Sequence, residues 1–384
     1  MRIGINALYL LPGKVGGSEI YIRNLVRCLA RSGGTNTYVI FISRESAGVF
    51  DDAGPGVEIV TCPIQASNRP LRIVWEQVVL PFQVLRHKIN VLFSAGMTSP
   101  FVCPVPSVLA VFDLQHVLQP YNFPLGQRLF RKSIIYLSAR SAEGIVTISQ
   151  KVREDILKFY RISARDVAVT YLAVDHGSFF PREAKEVDAV RAKYGLPERF
   201  ILYAAAAFPH KNHARLLEAL KMLKERGDGI KLVLTGAKVT GDDVIAEMIK
   251  KMGLQSDTVV TGWLPFEDIP PIYCASDAFV FPTLNEGFGI PVIEAMACGV
   301  PVVCSNIEPL PEIAGDAAHF IDPYDPASIA EGISKVVSDQ IVRRELIEKG
   351  FRRAAAFTWE NTARKTLEFI MSYVEGGENA GYDI

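Results

Sequence analysis

The sequence predicts two doubly wound α/β domains in tandem, and three observations predict them. At 384 residues the chain exceeds one ordinary core and suits two. Short apolar runs alternate with stretches of helical period, the pattern of parallel sheets built from βαβ units. That alternation lapses once, around 174–197, and then restarts.

In the first half, 2–8, 38–43, 91–94, 107–112, 144–148 and 167–171 read as strands, with amphipathic helical stretches at 19–31, 74–86 and 150–160. The charged stretch Arg182-Glu-Ala-Lys-Glu, followed by Gly195-Leu-Pro197, contributes little core and is taken as the hinge. Beyond it, 200–205, 231–235, 258–261, 278–281 and 302–305 read as strands, and 213–226, 242–253 and 291–298 as helices. After Pro326 the period is helical, and a last helix at 359–374 is expected to return to the first domain. The Gly-rich tail 375–384 is expected to be disordered. The expected domains are 1–180 and 181–358, related by architecture and not by a sequence repeat.

Apolar residues make up 49% of the chain, enough for two cores, and 41 basic against 42 acidic side chains leave a formal charge of −1. This balance excludes a global attraction to nucleic acid or to an anionic membrane and leaves a local basic patch open. The six cysteines form no CxxC pair and no His/Cys cluster, and read as reduced thiols of a cytoplasmic protein. The N-terminus lacks the long apolar stretch of a signal peptide. Residues 89–112 run for 24 positions without a charge, long enough to cross a bilayer. Gly96, Pro100, Pro104 and Pro106 interrupt any helix there, so strand, loop and strand is the reading.

Open parallel sheets bind ligands at the carboxyl ends of their strands, and three segments with suitable chemistry lie at such ends. The first is Pro12-Gly-Lys-Val-Gly16-Gly17-Ser18-Glu19. Its small residues let backbone amides approach a ligand, and the helix N-terminus beyond favours an anion. The alternative is a flexible loop with Ser18 as N-cap. The second is Phe208-Pro-His210-Lys211-Asn212. A cation leading into a helix opposes the helix dipole unless it serves a partner anion. Lys211 is thus a candidate diphosphate clamp with His210 beside it, against a solvated lysine and a satisfied histidine. The third runs from Thr283 through Glu286-Gly287-Phe288-Gly289-Ile290-Pro291 to Glu294 and Gly299. Pro291 suits a first helical turn and Gly299 the position after the helix end. The amides of Phe288, Gly289 and Ile290 suit a phosphate. Glu286 and Glu294 are candidate acceptors for vicinal hydroxyls, against a dipole-complementing acid and a surface acid.

Glu286, seven intervening residues and Glu294, with Glu286-Gly-Phe-Gly leading into Pro291-Val-Ile-Glu-Ala-Met-Ala-Cys-Gly-Val-Pro301, resemble the retaining glycosyltransferases of family 4. The resemblance continues through Pro311-Glu312-Ile-Ala-Gly315-Asp316. It takes in the Gly16-Gly17 loop, Trp75-Glu76-Gln77, Phe112-Asp113-Leu-Gln115-His116, Thr147-Ile-Ser149 and Lys211-Asn212. It implies the GT-B fold, two Rossmann-like domains facing a central cleft. Glu294 then holds the nucleotide ribose and Glu286 the transferred sugar. Lys211, His210 and the amides of 287–290 bind the diphosphate, and Gly16 and Gly17 close over the donor. Trp263, in Gly262-Trp-Leu264, lies where the base is read. Asp113 and His116 face the reacting sugar and the acceptor. Two positions depart from the family pattern: Ala206 stands where many relatives carry arginine, and Phe112 where many carry histidine.

The resemblance implies transfer with retention of anomeric configuration, with Lys211, Glu286 and Asp113 as the catalytic set and His116 on the acceptor side. No DxD motif marks a metal site, and the expected cofactor list is empty apart from the nucleotide-diphosphate sugar substrate. The donor is expected to be GDP-mannose, with a UDP-hexose as second choice, from the look of 113–116 and 209–212. The expected acceptor is a lipid-linked or growing oligosaccharide in polysaccharide biosynthesis. Arg69, Arg72, Arg128, Arg131 and Lys132 form a candidate docking surface for the inner membrane face, against scattered solvated cations. The rival readings are a sugar-nucleotide epimerase or phosphorylase of the same architecture, and a nucleotide-sugar-binding protein without turnover.

Overall fold

Seven short apolar runs of the first part pair in parallel into one sheet. They are β1 (Arg2–Asn6), β2 (Thr37–Ile42), β3 (Val57–Thr61), β4 (Val91–Ser94), β5 (Ser107–Val111), β6 (Gly144–Thr147) and β7 (Val167–Val169), in the order β3-β2-β1-β4-β5-β6-β7. The helices between them are α1 (Gly17–Arg31), α2 (Arg69–Val78), α3 (Leu80–Arg86), α4 (Gln115–Leu118), α5 (Leu125–Ser141) and α6 (Gln150–Tyr160). β4 and β5 occupy the uncharged stretch 89–112, and among the described residues no helix is long and apolar enough to cross a membrane. The computed structural model describes all residues except 15, 33, 120–123, 237–241 and 375–384, so the expected disorder of the tail lies outside the described residues.

Buried branched and aromatic side chains explain the central strands. Ile3, Ile5, Val39, Ile40, Phe41, Val91 and Phe93 are shielded from solvent, as a strand covered on both faces requires. β3 escaped the sequence reading because it is an edge strand whose polar residues, such as Glu58, remain exposed. The single helix expected at 74–86 is two helices, α2 and α3, broken at Val79 just before Pro81. Ser149 caps α6, its hydroxyl accepting from Val152 N at 3.2 Å.

The second part repeats the architecture. Its strands are β8 (Phe200–Ala204), β9 (Lys231–Thr235), β10 (Thr258–Gly262), β11 (Ala278–Phe281), β12 (Val302–Ser305) and β13 (Ala318–Ile321). All pair in parallel in the order β10-β9-β8-β11-β12-β13, with the strand order reversing between β8 and β11. Its helices are α7 (Ala184–Tyr194), α8 (His213–Arg226), α9 (Asp242–Lys251), α10 (Ile269–Ala275), α11 (Ile290–Ala297), α12 (Leu310–Ala314), α13 (Pro326–Ser338) and α14 (Gln340–Ala355). The charged stretch taken as the hinge leads directly into α7. That helix packs on α10, with Arg191 donating to Pro197 O and Ala275 O, both at 2.5 Å. Charged positions face solvent there while Val190 supplies the buried contact.

The chain divides between Leu172 and Ala173 and again between Thr358 and Trp359. The last helix, α15 (Trp359–Ser372), belongs to the first unit and packs on α1. Thr362 Oγ1 donates to Tyr171 O at 2.7 Å, and the Trp359 and Tyr21 rings lie 6.4 Å apart. All six cysteines are free, with Cys62, Cys298 and Cys304 buried and the others half-buried.

Candidate active site

In the second unit the loops after β8 and β11 meet where the strand order reverses. Asn212, at φ 60° in the left-handed region, turns its side chain into the junction. Its Nδ2 donates to Pro282 O at 2.9 Å and to Pro323 O at 2.7 Å. Leu284 N and Thr283 Oγ1 donate to His210 O at 2.7 and 3.1 Å, and Ser305 Oγ donates to Thr283 O at 2.7 Å. Carbonyl groups at the ends of the strands are thereby consumed, and the loops are held as one body.

On this frame Lys211 Nζ forms an ion pair with Glu286 Oε1, both side chains largely buried, and stands 5.2 Å from the centre of the Phe281 ring. His210 stacks on Phe208 with ring centres 5.8 Å apart. Its Nδ1 is buried and has no hydrogen-bond partner among the described residues. Burial, reinforced by the Lys211 charge, lowers its pKa, so the ring is neutral at pH 7.

Gly289 is the N-cap of α11 at φ 99°, and no side chain caps that helix. The φ of the turn that opens the helix favours glycine, and a Cβ at Gly289 would stand 2.6 Å from Leu310 Cδ2, the end of a side chain that would have to move. Phe288 is buried edge-on against Phe357, 5.7 Å between centres, which anchors the 287–290 turn. Glu294 lies one turn inside α11 and accepts from the Tyr273 hydroxyl at 3.2 Å. Burial raises its pKa to about 7, and the Tyr273 hydrogen bond opposes that rise only in part. Tyr273, 21 residues before Glu294, gave no sequence signal, because only the packing of α10 on α11 brings the two together. Trp263 stands exposed after Gly262, whose carbonyl accepts from Gly236 N at 3.0 Å and Thr235 Oγ1 at 3.1 Å. Lys211, His210, Glu286, the 287–290 turn and Glu294 thus belong to one end of one sheet.

In the first unit Gly16, not Ser18, is the N-cap of α1, and Gly17 opens the helix. The loop before it is tied down by Glu19, which accepts from Gly13 N at 2.7 Å and from Arg23 Nε at 2.9 Å. Where β1 and β4 end, Asn6 Nδ2 and Thr98 Oγ1 donate to Glu76 Oε2 at 3.0 and 3.2 Å. Gln77 brackets the next loop, donating to Ser99 O and accepting from Phe101 N. The Trp75-Glu76-Gln77 motif therefore ties α2 to the loop after β4. Asp113 Oδ1 accepts from Gln115 N at 3.0 Å, closing the turn after β5. His116 is only 2% exposed, and its Nε2 pairs with the Tyr160 hydroxyl at 3.0 Å. Burial, with help from Arg131 and Lys132, pulls the His116 pKa down to about 4. One member of the expected docking surface is displaced: Arg72 is buried, because α2 turns it inward beside Glu76, and it cannot serve a surface. Among the described residues no three His, Cys, Asp or Glu side chains cluster as metal ligands.

Comparison with known proteins gives the family and the fold. Residues 186–353 match the family described as Glycosyl transferases group 1, and residues 15–178 match Glycosyltransferase Family 4. The O-antigen chain mannosyltransferase B of Escherichia coli is 33% identical over 263 residues, covering 68% of this chain and 69% of that protein. The serotype-specific mannosyltransferase WbdA of Escherichia coli is 30% identical over 271 residues, covering 69% of this chain; the matched part is a third of WbdA's length, 33%. Sucrose-phosphate synthase from Thermosynechococcus elongatus superimposes with a TM-score of 0.79 at 19% identity, covering 98% of this chain and 100% of that one. The fold is GT-B.

Proposed function

Because the chain belongs to the family 4, group 1 glycosyltransferases, we propose that it moves mannose from GDP-mannose onto a lipid-linked or growing oligosaccharide in polysaccharide biosynthesis. Transfer retains the anomeric configuration and uses no bound metal or other cofactor. The observation that carries this reading is the Lys211–Glu286 pair, locked beside the uncapped N-terminus of α11. The mannosyltransferases similar to the chain support the choice of sugar.

In this reading the amides of 287–290, Lys211 and neutral His210 receive the diphosphate, and Glu286 turns from Lys211 to the sugar hydroxyls. Glu294 accepts from the ribose diol, and Trp263 lies on the side of the base. Gly16 and Gly17 close over the donor. As the bond between the anomeric carbon and the diphosphate oxygen breaks, charge collects on that oxygen, and Lys211 with the helix amides neutralises it. The acceptor oxygen forms the new bond on the same face, and its proton passes to the departing phosphate oxygen. Asp113 serves the reacting sugar on the acceptor side, and His116 acts there through the buried pair it makes with Tyr160. The enzyme works at the cytoplasmic face of a membrane, in peripheral contact with it.

Calorimetric titration with GDP, UDP, dTDP and their sugar conjugates tests the donor. Micromolar binding of GDP and GDP-mannose, lost in Glu294→Ala, is the expected result. Preference for UDP replaces the donor by a UDP-hexose, and no binding to a folded protein removes the transferase reading in favour of a site without turnover.

A further inference from the structure

The packing of α10 on α11 that sets Tyr273 against Glu294 also brings two cysteines together. Cys274 follows Tyr273 on α10, and Cys298 closes α11 one turn beyond Glu294, its amide donating to Glu294 O at 3.0 Å. The two are 24 residues apart in the chain, yet the Cys274 thiol reaches Cys298 O at 3.7 Å and Phe180 O at 3.6 Å. Cys298 is buried at 3% exposure, whereas Cys274 is only half-buried and open to a small reagent.

The six thiols are not equivalent. Burial raises those of Cys62, Cys103 and Cys304, and burial with the Glu360 charge raises that of Cys28. Cys274 moves the other way. A hydrogen bond with the Cys298 side chain, aided by the amide and the charge of Arg182, brings its thiol down to about 7 against the effect of burial. The same hydrogen bond, with burial, holds Cys298 in its protonated form. An accessible thiolate beside a sheltered thiol is the arrangement of an attacking and a resolving cysteine.

We propose that Cys274 and Cys298 are an oxidation site, a reversible thiol–disulfide pair that fastens α10 to α11 and weakens nucleotide binding in the second unit. The oxidant is a hydroperoxide. Cys274 attacks one peroxide oxygen, so that an S–O bond forms and the O–O bond breaks. The other oxygen leaves as hydroxide and takes up the proton that Cys274 gave, becoming water. Cys298 then attacks the sulfenic sulfur, the S–S bond forms, and the hydroxyl leaves as a second water with the Cys298 proton. Two electrons pass from the two sulfurs to the peroxide. The bond draws the sulfurs to about 2 Å and shifts the end of α11 against α10. Tyr273 and Glu294 ride on the same two helices, so their 3.2 Å hydrogen bond is disturbed and the Glu294 carboxyl is displaced. The effect on nucleotide rests on the ribose role of Glu294 in the proposed function; the disulfide does not.

The test treats the full chain with hydrogen peroxide, maps disulfides by mass spectrometry of unreduced, alkylated digests, and titrates the same samples with GDP. The expected result is a Cys274–Cys298 crosslink and a GDP affinity about tenfold weaker, both reversed by dithiothreitol. Cys274→Ser forms no crosslink and keeps its GDP affinity through peroxide. Cys298→Ser accumulates a sulfenic acid at Cys274, trapped by dimedone. Mapping of the wild type decides the crosslink even if a variant fails to fold. Folded wild type that yields no such crosslink, or one to a different cysteine, overturns the proposal. A crosslinked protein with unchanged GDP affinity overturns the coupling, as does a Cys274→Ser variant that loses affinity under peroxide like the wild type. Reduced protein that binds no nucleotide removes the donor assignment and the coupling with it, while a mapped crosslink stands.

Discussion

Lys211 and Glu286 are 75 residues apart in the chain and form an ion pair where the second sheet reverses its strand order. Each charge satisfies the other, so in the proposed function an incoming diphosphate would exchange one anionic partner of Lys211 for another and free Glu286 to accept hydroxyl hydrogen bonds. The exchange avoids leaving either charge unpaired in a largely buried position.

This relationship predicts that Lys211→Ala lowers kcat/KM by about 10²–10³-fold, the scale of a lost electrostatic stabiliser. Stability falls by only about 1–2 kcal/mol, through the unpaired Glu286. The Lys211→Ala/Glu286→Gln double variant is more stable than the two single losses add up to, because the orphaned charge is gone. Steady-state rates and urea denaturation check this; a rate loss below about tenfold removes Lys211 from the catalytic set.

Glu294 predicts a pH dependence of nucleotide binding. Its pKa is raised to about 7 from 4.5, so the carboxyl is mostly protonated at pH 6 and ionised at pH 8. The carboxylate accepts from the hydroxyls of a diol more strongly than the neutral acid, so in the proposed role affinity rises with pH through 7. The stability contribution of this group has the opposite sense: it is full below 4.5 and is lost as pH rises through 7. Glu294→Gln flattens both profiles. Calorimetry and melting between pH 5.5 and 8.5 decide the matter, and a wild-type affinity independent of pH would count against the ribose role.

Asn212 separates conformation from hydrogen bonding. Asn212→Gly keeps the positive φ and loses the bonds to Pro282 O and Pro323 O, whereas Asn212→Ala loses the bonds and strains the backbone. The glycine variant is destabilised by about 1–3 kcal/mol, and the alanine variant by about 1–2 kcal/mol more. Equal denaturation midpoints for the two would show that strain plays no part.

Gly289→Ala meets both a φ of 99° and Leu310 Cδ2 at 2.6 Å. A loss of about 1–3 kcal/mol follows from the backbone alone. Where the start of α11 moves to relieve that strain, nucleotide binding weakens as well. Trimming Leu310 to Ala in the same chain removes the contact but not the backbone strain, so it restores part of the binding; no recovery would mean that the backbone alone is responsible.

The strands were legible wherever burial on both faces demanded an unbroken apolar run, as at Lys231–Thr235, Ala278–Phe281 and Val302–Ser305. Helices with a strong apolar stripe and clear ends, such as Gln150–Tyr160 and His213–Arg226, were legible for the same reason. Reading failed where exposure weakens the pattern. Edge strand β3 has no fully buried residue, and α7 hides a structural helix under a charged surface. In the site, Lys211, Glu286 and Glu294 were legible as residues, but Tyr273 was not, since a helix packing contact leaves no local trace.

Two doubly wound sheets and the residue types at the ends of their strands were legible in the chain, because periodicity and the glycines at positive φ are local properties. Which of those residues meet was settled by long-range packing. It paired Lys211 with Glu286, set Tyr273 against Glu294, sank His116 onto Tyr160 and turned Arg72 inward. Burial and partner charge depend on segments far apart in the chain, and these alone fix whether a side chain is a ligand contact, a brace or a neutral acid.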